Sequence, residues 1–221
     1  MAEFFSEYGT LILTATGETL YMVTLSVILS YLLGIPLGVL VTVTAPDSIS
    51  PCKPIYSLLD WIINIIRSIP FIILIVALIP FTRWVLGSFI GPNGAIVALV
   101  IGAVPFVARL VQGSLNELDK GVIESTRAMG ATNFQIITRV LLPEALPSLI
   151  RGMAVATITI VGYTAMAGAV GAGGLGDVAI RYGFHRYQTN VMFATIVVLV
   201  VLVQVIQLTF DALVKKMDKN K

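Results

Sequence analysis

Five stretches of this chain are long and apolar enough to cross a bilayer, and little sequence is left between them. A hydrocarbon core about 30 Å thick needs roughly 20 apolar residues when the chain is helical. The stretches lie near Thr19–Val43, Leu58–Pro80, Gly94–Val111, Ser148–Val170 and Val191–Val214, and the third is short and interrupted by Pro105. Charged residues make up 12% of the chain, about half the roughly 25% of a soluble domain. Most of the surface is therefore expected to face lipid. The net charge of +2 and the absence of a basic stripe leave no case for nucleic acid. The expectation is an all-α integral membrane protein: five transmembrane helices in one domain over residues 1–221, with a polar loop over 112–147.

Lysine and arginine fix the expected orientation, because cytoplasmic loops carry an excess of them. Lys53, Lys120, Arg127, Arg139, Lys215, Lys216, Lys219 and Lys221 fall on one side if the N-terminus is outside and the C-terminus inside. Arg83, Arg181 and Arg186 form the outer minority. The N-terminal arm carries Glu3 and Glu7 and lacks the basic region of a signal peptide. Cys52 has no partner for an internal disulfide, and the lone His185 has no companion for metal ligation. No metal site is expected.

The loop between the third and fourth spans is patterned as helix, glycine hinge, helix. Asp119 can cap a helix beginning near Lys120. Gly130 suits the left-handed residue that ends a helix. Thr132, with Gln135 three residues on, forms a capping-box pattern, and Phe134, Ile137 and Leu141 give the second helix an apolar face. Pro143 and Pro147 are expected to separate it from the fourth span. A short rigid helix presented to the cytosol is what a partner groove can hold. The other reading is an amphipathic connector packed on its own bundle.

The run Glu124-Ser125-Thr126, three residues, Gly130, nine residues, then Val140-Leu141-Leu142-Pro143 resembles the "EAA" loop of ABC importer permeases. Ser125 and Thr126 stand where that family pattern has two alanines, and they are likewise small. The resemblance implies docking on a separate ATPase through Glu124, Ser125, Thr126, Ala128, Met129 and Gly130. The chain holds no phosphate-binding loop of its own, so ATP and Mg would be bound by that partner and this chain would need no cofactor. Gly171, Gly173 and Gly176 match the dinucleotide fingerprint, but they follow a membrane helix, where the fingerprint requires a strand.

Further runs resemble the methionine ABC permease family over nearly the whole chain past its first fifteen residues. They are Arg67 to Leu74, Ile79 to Arg83, Arg127 to Thr132, Leu141 to Pro147, Gly162 to Met166 and Gly168 to Gly176. The family implies two copies of this subunit, two copies of a cytoplasmic ATPase, a methionine-binding lipoprotein outside, and a place in the bacterial cytoplasmic (inner) membrane.

On the second span Asn64, Arg67, Ser68 and Phe71 recur at spacings of three and four, one helical face. An arginine within a span costs about 2.5–3.5 kcal/mol on the translocon scale, so Arg67 should face the bundle or the interface. The fourth span carries Thr157, Val161 and Thr164 on one face, with Tyr163 and Met166 near its outer end. Asn64, Arg67, Ser68, Thr157, Tyr163, Thr164 and Met166 are the candidate pathway or gate residues. They are nearly all neutral, which suits a zwitterion with an apolar tail. Interhelical hydrogen bonding is the other reading of the threonines, and close helix packing is the reading of Gly34 and Gly38. Gly168, Gly171, Gly173, Gly174 and Gly176 suggest a mobile outer gate, a receptor contact or a tight turn.

Two other functions fit parts of the pattern. A related importer could carry another small amino acid or an osmolyte. A polytopic membrane enzyme would need clustered catalytic groups, and the only concentration, Glu117, Asp119 and Glu124, reads better as helix caps.

Overall fold

The computed structural model describes the backbone of residues 2–218 and the side chains of residues 7–216. Lys219 and Lys221, used above for orientation, lie outside the described residues, as does the side chain of Glu3. The helices are α1 (Ala2–Thr44), α2 (Lys53–Ser68), α3 (Phe71–Ala77), α4 (Ile79–Leu86), α5 (Pro92–Asn116), α6 (Lys120–Ala128), α7 (Asn133–Ile136), α8 (Leu142–Gly168), α9 (Gly174–Val178) and α10 (Thr189–Asp218). π-Helical turns over Ile137–Leu141 and Ala179–Phe184 join α7 to α8 and extend α9. Among the described residues, four continuous helical segments are long and apolar enough to cross a membrane: Glu7–Thr44, Pro92–Asn116, Asn133–Gly168 and Thr189–Lys216. The broken pair α2 and α3 supplies a fifth crossing if counted as one.

The chain divides into two compact units. One comprises Met1–Ser30, Ile69–Ala103 and Ala156–Leu208, the other Tyr31–Ser68, Val104–Val155 and Thr209–Lys221. In each, helix pairs bury small and branched residues. In the second unit the α1 glycines Gly34 and Gly38 meet α5 so closely that a Cβ would come within 2.6 Å of Val107 Cγ1 or Val111 Cβ. Val41, Ile63 and Ala108 form a buried cluster there, with Leu37, Tyr56 and Leu59 packed against it. Threonines inside the apolar helices satisfy themselves locally: Thr42 Oγ1 donates to Gly38 O at 2.8 Å and Thr195 Oγ1 to Val191 O at 2.8 Å. Such back-bonds let a hydroxyl sit where no water is available.

Three expectations need correction, all at prolines. The second span is not one helix. Proline lacks an N–H and pushes the preceding residue out of the α region, so α2 stops at Ser68 and Pro70 takes the extended cap position before α3, with φ −55° and ψ 134°. The third span is neither short nor interrupted, for α5 runs 25 residues with Pro105 inside it. Pro143 and Pro147 do not separate the loop from the fourth span. The π turn over Ile137–Leu141 widens the helix just before Pro143, where its ring would otherwise meet the carbonyl of Arg139. The second loop helix thus continues into α8.

The close approach of α1 and α5 leads to a test. Gly38→Leu forces several extra carbon atoms into backbone contact, and overpacking of this kind costs about 1–3 kcal/mol. The variant should show reduced membrane accumulation and a lowered melting temperature in detergent, while Gly17→Leu, where nothing lies within 4 Å of a Cβ, should match the parent. Equal stability of the two variants would contradict this packing.

Candidate functional site

The polar loop is built as its residues dictate. Asp119 caps α6 by accepting from Gly121 N at 2.8 Å. Gly130 ends the turn with φ +85°, and no atom lies near its would-be Cβ, so its requirement is conformational. Thr132 and Gln135 form the capping box, with Thr132 N donating to Gln135 Oε1 at 2.8 Å and Gln135 N to Thr132 Oγ1 at 3.3 Å. The Ser125 and Thr126 hydroxyls both donate back to Val122 O, which consumes them within the helix and leaves an alanine-like surface. Arg127 Nη2 donates to Ile49 O at 2.7 Å and ties α6 to the turn after α1. No residue of α6 is buried. Met129 is 79% and Phe134 73% exposed, two large apolar side chains on the surface of this loop. Glu124 and Ala128 are exposed beside them.

The α2 helix carries a second pattern. Lys53, Ser57, Asp60, Asn64 and Arg67 recur every three or four residues, so they line one face. Ile55, Leu58, Trp61, Ile62 and Ile65 are exposed on other faces. Asp60 and Asn64 meet Arg109 of α5. Arg109 Nη2 donates to Asp60 Oδ1 at 2.5 Å and to Asn64 Oδ1 at 2.8 Å, and Nη1 donates to Gln112 Oε1 at 2.6 Å. Asn64 Nδ2 donates to Asp60 Oδ2 at 2.9 Å. Ser68 Oγ donates to Asn64 O. Asn64, Arg67 and Ser68 stay exposed on this face. Phe71 is not part of it, because α2 has ended, so the face expected to run Asn64, Arg67, Ser68 and Phe71 is shorter by its last member.

Residues of the fourth span separate into two sets. Thr157 and Thr164 are 6% and 2% exposed, and Thr164 Oγ1 donates to Val161 O at 2.7 Å, so both sit in the interior of the subunit. Tyr163 is half-buried and stacks on Phe71, ring centroids 4.2 Å apart and planes 3° off parallel. Met166, one turn of α8 nearer its end, is 46% exposed.

The glycine-rich stretch is a tight turn into a short helix. Gly171 N donates to Gly168 O, and Gly91 N reaches Gly171 O at 2.9 Å. A Cβ on Gly176 would come within 2.4 Å of Ala165 O, so α9 lies directly on the end of α8. Gly173 and Gly174 both have positive φ, +80° and +75°. Two residues of α1 cap the first turn of α9: Glu18 Oε2 accepts from Gly174 N at 2.7 Å and Thr19 Oγ1 from Leu175 N at 2.9 Å. The carboxylate also meets the positive end of the peptide dipoles.

Sequence reasoning passed over Asp60, Arg109, Gln112 and Glu18. The signal for the first was present in the stripe of α2, and an arginine amid the apolar residues of the third span was the signal for the second. Glu117 accepts from Ser148 Oγ at 2.8 Å and Asp119 caps α6. Two of the three members of the acidic group are thus engaged as helix partners. No group of three or more possible metal ligands occurs among the described residues.

The chain is similar to several known proteins. The family model described as binding-protein-dependent transport system inner membrane component matches residues 34–219. The methionine import system permease protein MetP of Bacillus subtilis is 43% identical over 206 residues, which cover 93% of each chain. The D-methionine transport system permease protein MetI of Escherichia coli is 49% identical over 158 residues, 72% of this chain and 73% of its own. A chain of the MetNI methionine ABC transporter, solved in inward-facing conformations, superposes with a TM-score of 0.91 at 48% identity, covering 93% of this chain and 95% of its own.

The α1 cap on α9 yields a prediction. Glu18→Ala removes an acceptor from a helix end, which costs about 1 kcal/mol, while Glu18→Gln keeps an oxygen in place and should lose less. Thermal denaturation of the purified subunit orders the two. Equal losses would show that the carboxylate oxygen does not hold α9.

Proposed function

Since the chain belongs to the binding-protein-dependent transport system inner membrane component family, we infer that it is the membrane-spanning permease subunit of an ATP-driven importer and that its cargo is methionine. Near-full-length identity to a methionine import permease carries the cargo assignment. The chain conducts no ATP chemistry; hydrolysis belongs to a separate subunit, as in the transporter it superposes on. Two copies form the pathway, which alternates between outward-open and inward-open states in the bacterial cytoplasmic membrane. An extracytoplasmic methionine-binding lipoprotein delivers the cargo. The N-terminus lies outside and the C-terminus inside, supported by the lysine and arginine distribution and by α6 then falling in the cytoplasm.

The coupling role of Glu124 to Gly130 draws its support from exposure and rigidity together. The helix is capped at its start by Asp119, closed at its end by Gly130, and anchored by Arg127 to Ile49 O. No residue of it is fully buried, so most of its surface is open to a docked partner. Met166, half-exposed, meets its twofold mate and closes the pathway toward the outside. Thr157 and Thr164 support helix packing under that closure, and Tyr163 stacked on Phe71 supports the gate from behind.

The test is import of labelled methionine into proteoliposomes holding the permease, its ATPase and loaded binding protein, compared across amino acids and osmolytes. Stimulation by methionine above the others is expected; stimulation by a different amino acid alone would replace the cargo. Gly130→Val strains a left-handed position by about 1–2 kcal/mol and should abolish import with the subunit still in the membrane. Glu124→Lys reverses charge on the docking face and should weaken recovery of the ATPase in pull-downs. Arg186→Ala, outside this segment, should leave recovery intact. Normal coupled import in both loop variants would remove the coupling assignment.

A further inference from the structure

The stripe on α2 poses a question that packing alone does not answer. An aspartate and an arginine within apolar helices are costly to hold in lipid and cluster where they face a partner or a water-filled path. Asp60 and Arg109 hold each other at 2.5 Å, yet their side chains remain 28% and 20% exposed. A clamp buried between α2 and α5 would be sealed. This pair opens onto the same face as Asn64, Arg67 and Ser68, all exposed.

We propose that Asp60, Asn64 and Arg109 form a transient station for the zwitterionic head group of the cargo on the translocation pathway. The inference rests on the reading of the chain as an amino-acid permease and adds the residues that handle the two charges. The resting pair is its own counter-ion set: one carboxylate, one guanidinium, no net charge. An arriving zwitterion brings the same two groups. Its carboxylate can accept from the Arg109 Nη groups, a charge-assisted contact that guanidinium makes in parallel pairs. Its ammonium can donate to the Asp60 carboxylate, and Asn64 can turn its amide to either. No charge is left unpaired during the exchange, which avoids the large penalty of a lone buried ion. The cargo must displace an existing ion pair to bind, so binding is weak and release is not trapped. Gln112, bonded to Arg109 Nη1, keeps the guanidinium aimed along the stripe when Asp60 is engaged elsewhere.

The test uses the complete complex in proteoliposomes with its binding protein, and a diazirine analogue of methionine modified only in its side chain. Photolysis during turnover should label peptides covering Lys53–Ser68 and the half of α5 that contains Arg109, and excess methionine should suppress the label. Label confined to other helices overturns the proposal. Asp60→Asn with Arg109→Gln replaces the ion pair with neutral amides of similar shape. It should keep the ATPase attached but import about tenfold less methionine per ATP hydrolysed, the scale of one charge-assisted hydrogen bond. Normal import per ATP in this neutral pair overturns the station. So does a complex that falls apart in the neutral pair and is restored in assembly and import by the exchanged pair Asp60→Arg with Arg109→Asp, because that is the behaviour of a clamp. If neither double variant assembles, the wild-type labelling decides. A wild-type complex that imports no methionine fails the function proposed above; the station fails alone when wild-type import is normal.

Discussion

Hydrocarbon offers no hydrogen bonds, and several polar groups among the described residues are placed as that constraint requires. Thr42 and Thr195 bond back to their own helices. Glu18 and Thr19 of α1 meet the free N–H groups at the start of α9. The proline breaks are covered by an extended residue at Pro70 and a π turn before Pro143. A further set of polar groups is gathered on one side of α2, where Asp60 and Asn64 find Arg109. This polar face is therefore a part of the subunit poorly suited to lipid.

The same economy explains the division between rigid and exposed elements. The α1–α5 contact at Gly34 and Gly38 is close enough to exclude any side chain. The α10 helix, by contrast, exposes Phe193, Val197, Val201, Val205 and Leu208, an apolar surface appropriate to lipid. The α6 helix exposes charged and apolar groups to water with both ends fixed. A helix held at its ends and largely exposed between them transmits displacement without deforming, which suits a contact through which a motor subunit acts.

Much of this was legible in the sequence where the governing interactions are local. Asp119, Gly130 and the Thr132–Gln135 capping box can be read within four residues, and Gly34 and Gly38 announce a close crossing at a spacing of four. Proline effects were read in the wrong places. Pro70 lay inside an apolar run whose length invited a single span, and Pro105 and Pro143 looked like breaks because the compensating geometry leaves no mark in residue type. The Asp60–Arg109 pair was invisible to any window, since its members lie on separate helices 49 positions apart. Its only local trace was the spacing of Lys53, Ser57, Asp60, Asn64 and Arg67. The two threonines of the fourth span show the limit of periodicity, because a helical face is readable from spacing but what it faces is not.

On the proposed reading, the polar face of α2 borders water during transport while its apolar faces border lipid or protein. Cysteine accessibility measures this directly. In a Cys52→Ser background, single cysteines at Ser57, Asn64 and Ser68, and at Leu58, Ile62 and Ile65, would be exposed to a small charged thiol reagent in the assembled transporter, with and without ATP. Modification of the first set, at rates that change with nucleotide, and protection of the second are expected. Equal rates at the two sets, or protection of Ser57, Asn64 and Ser68 in every nucleotide state, would contradict it.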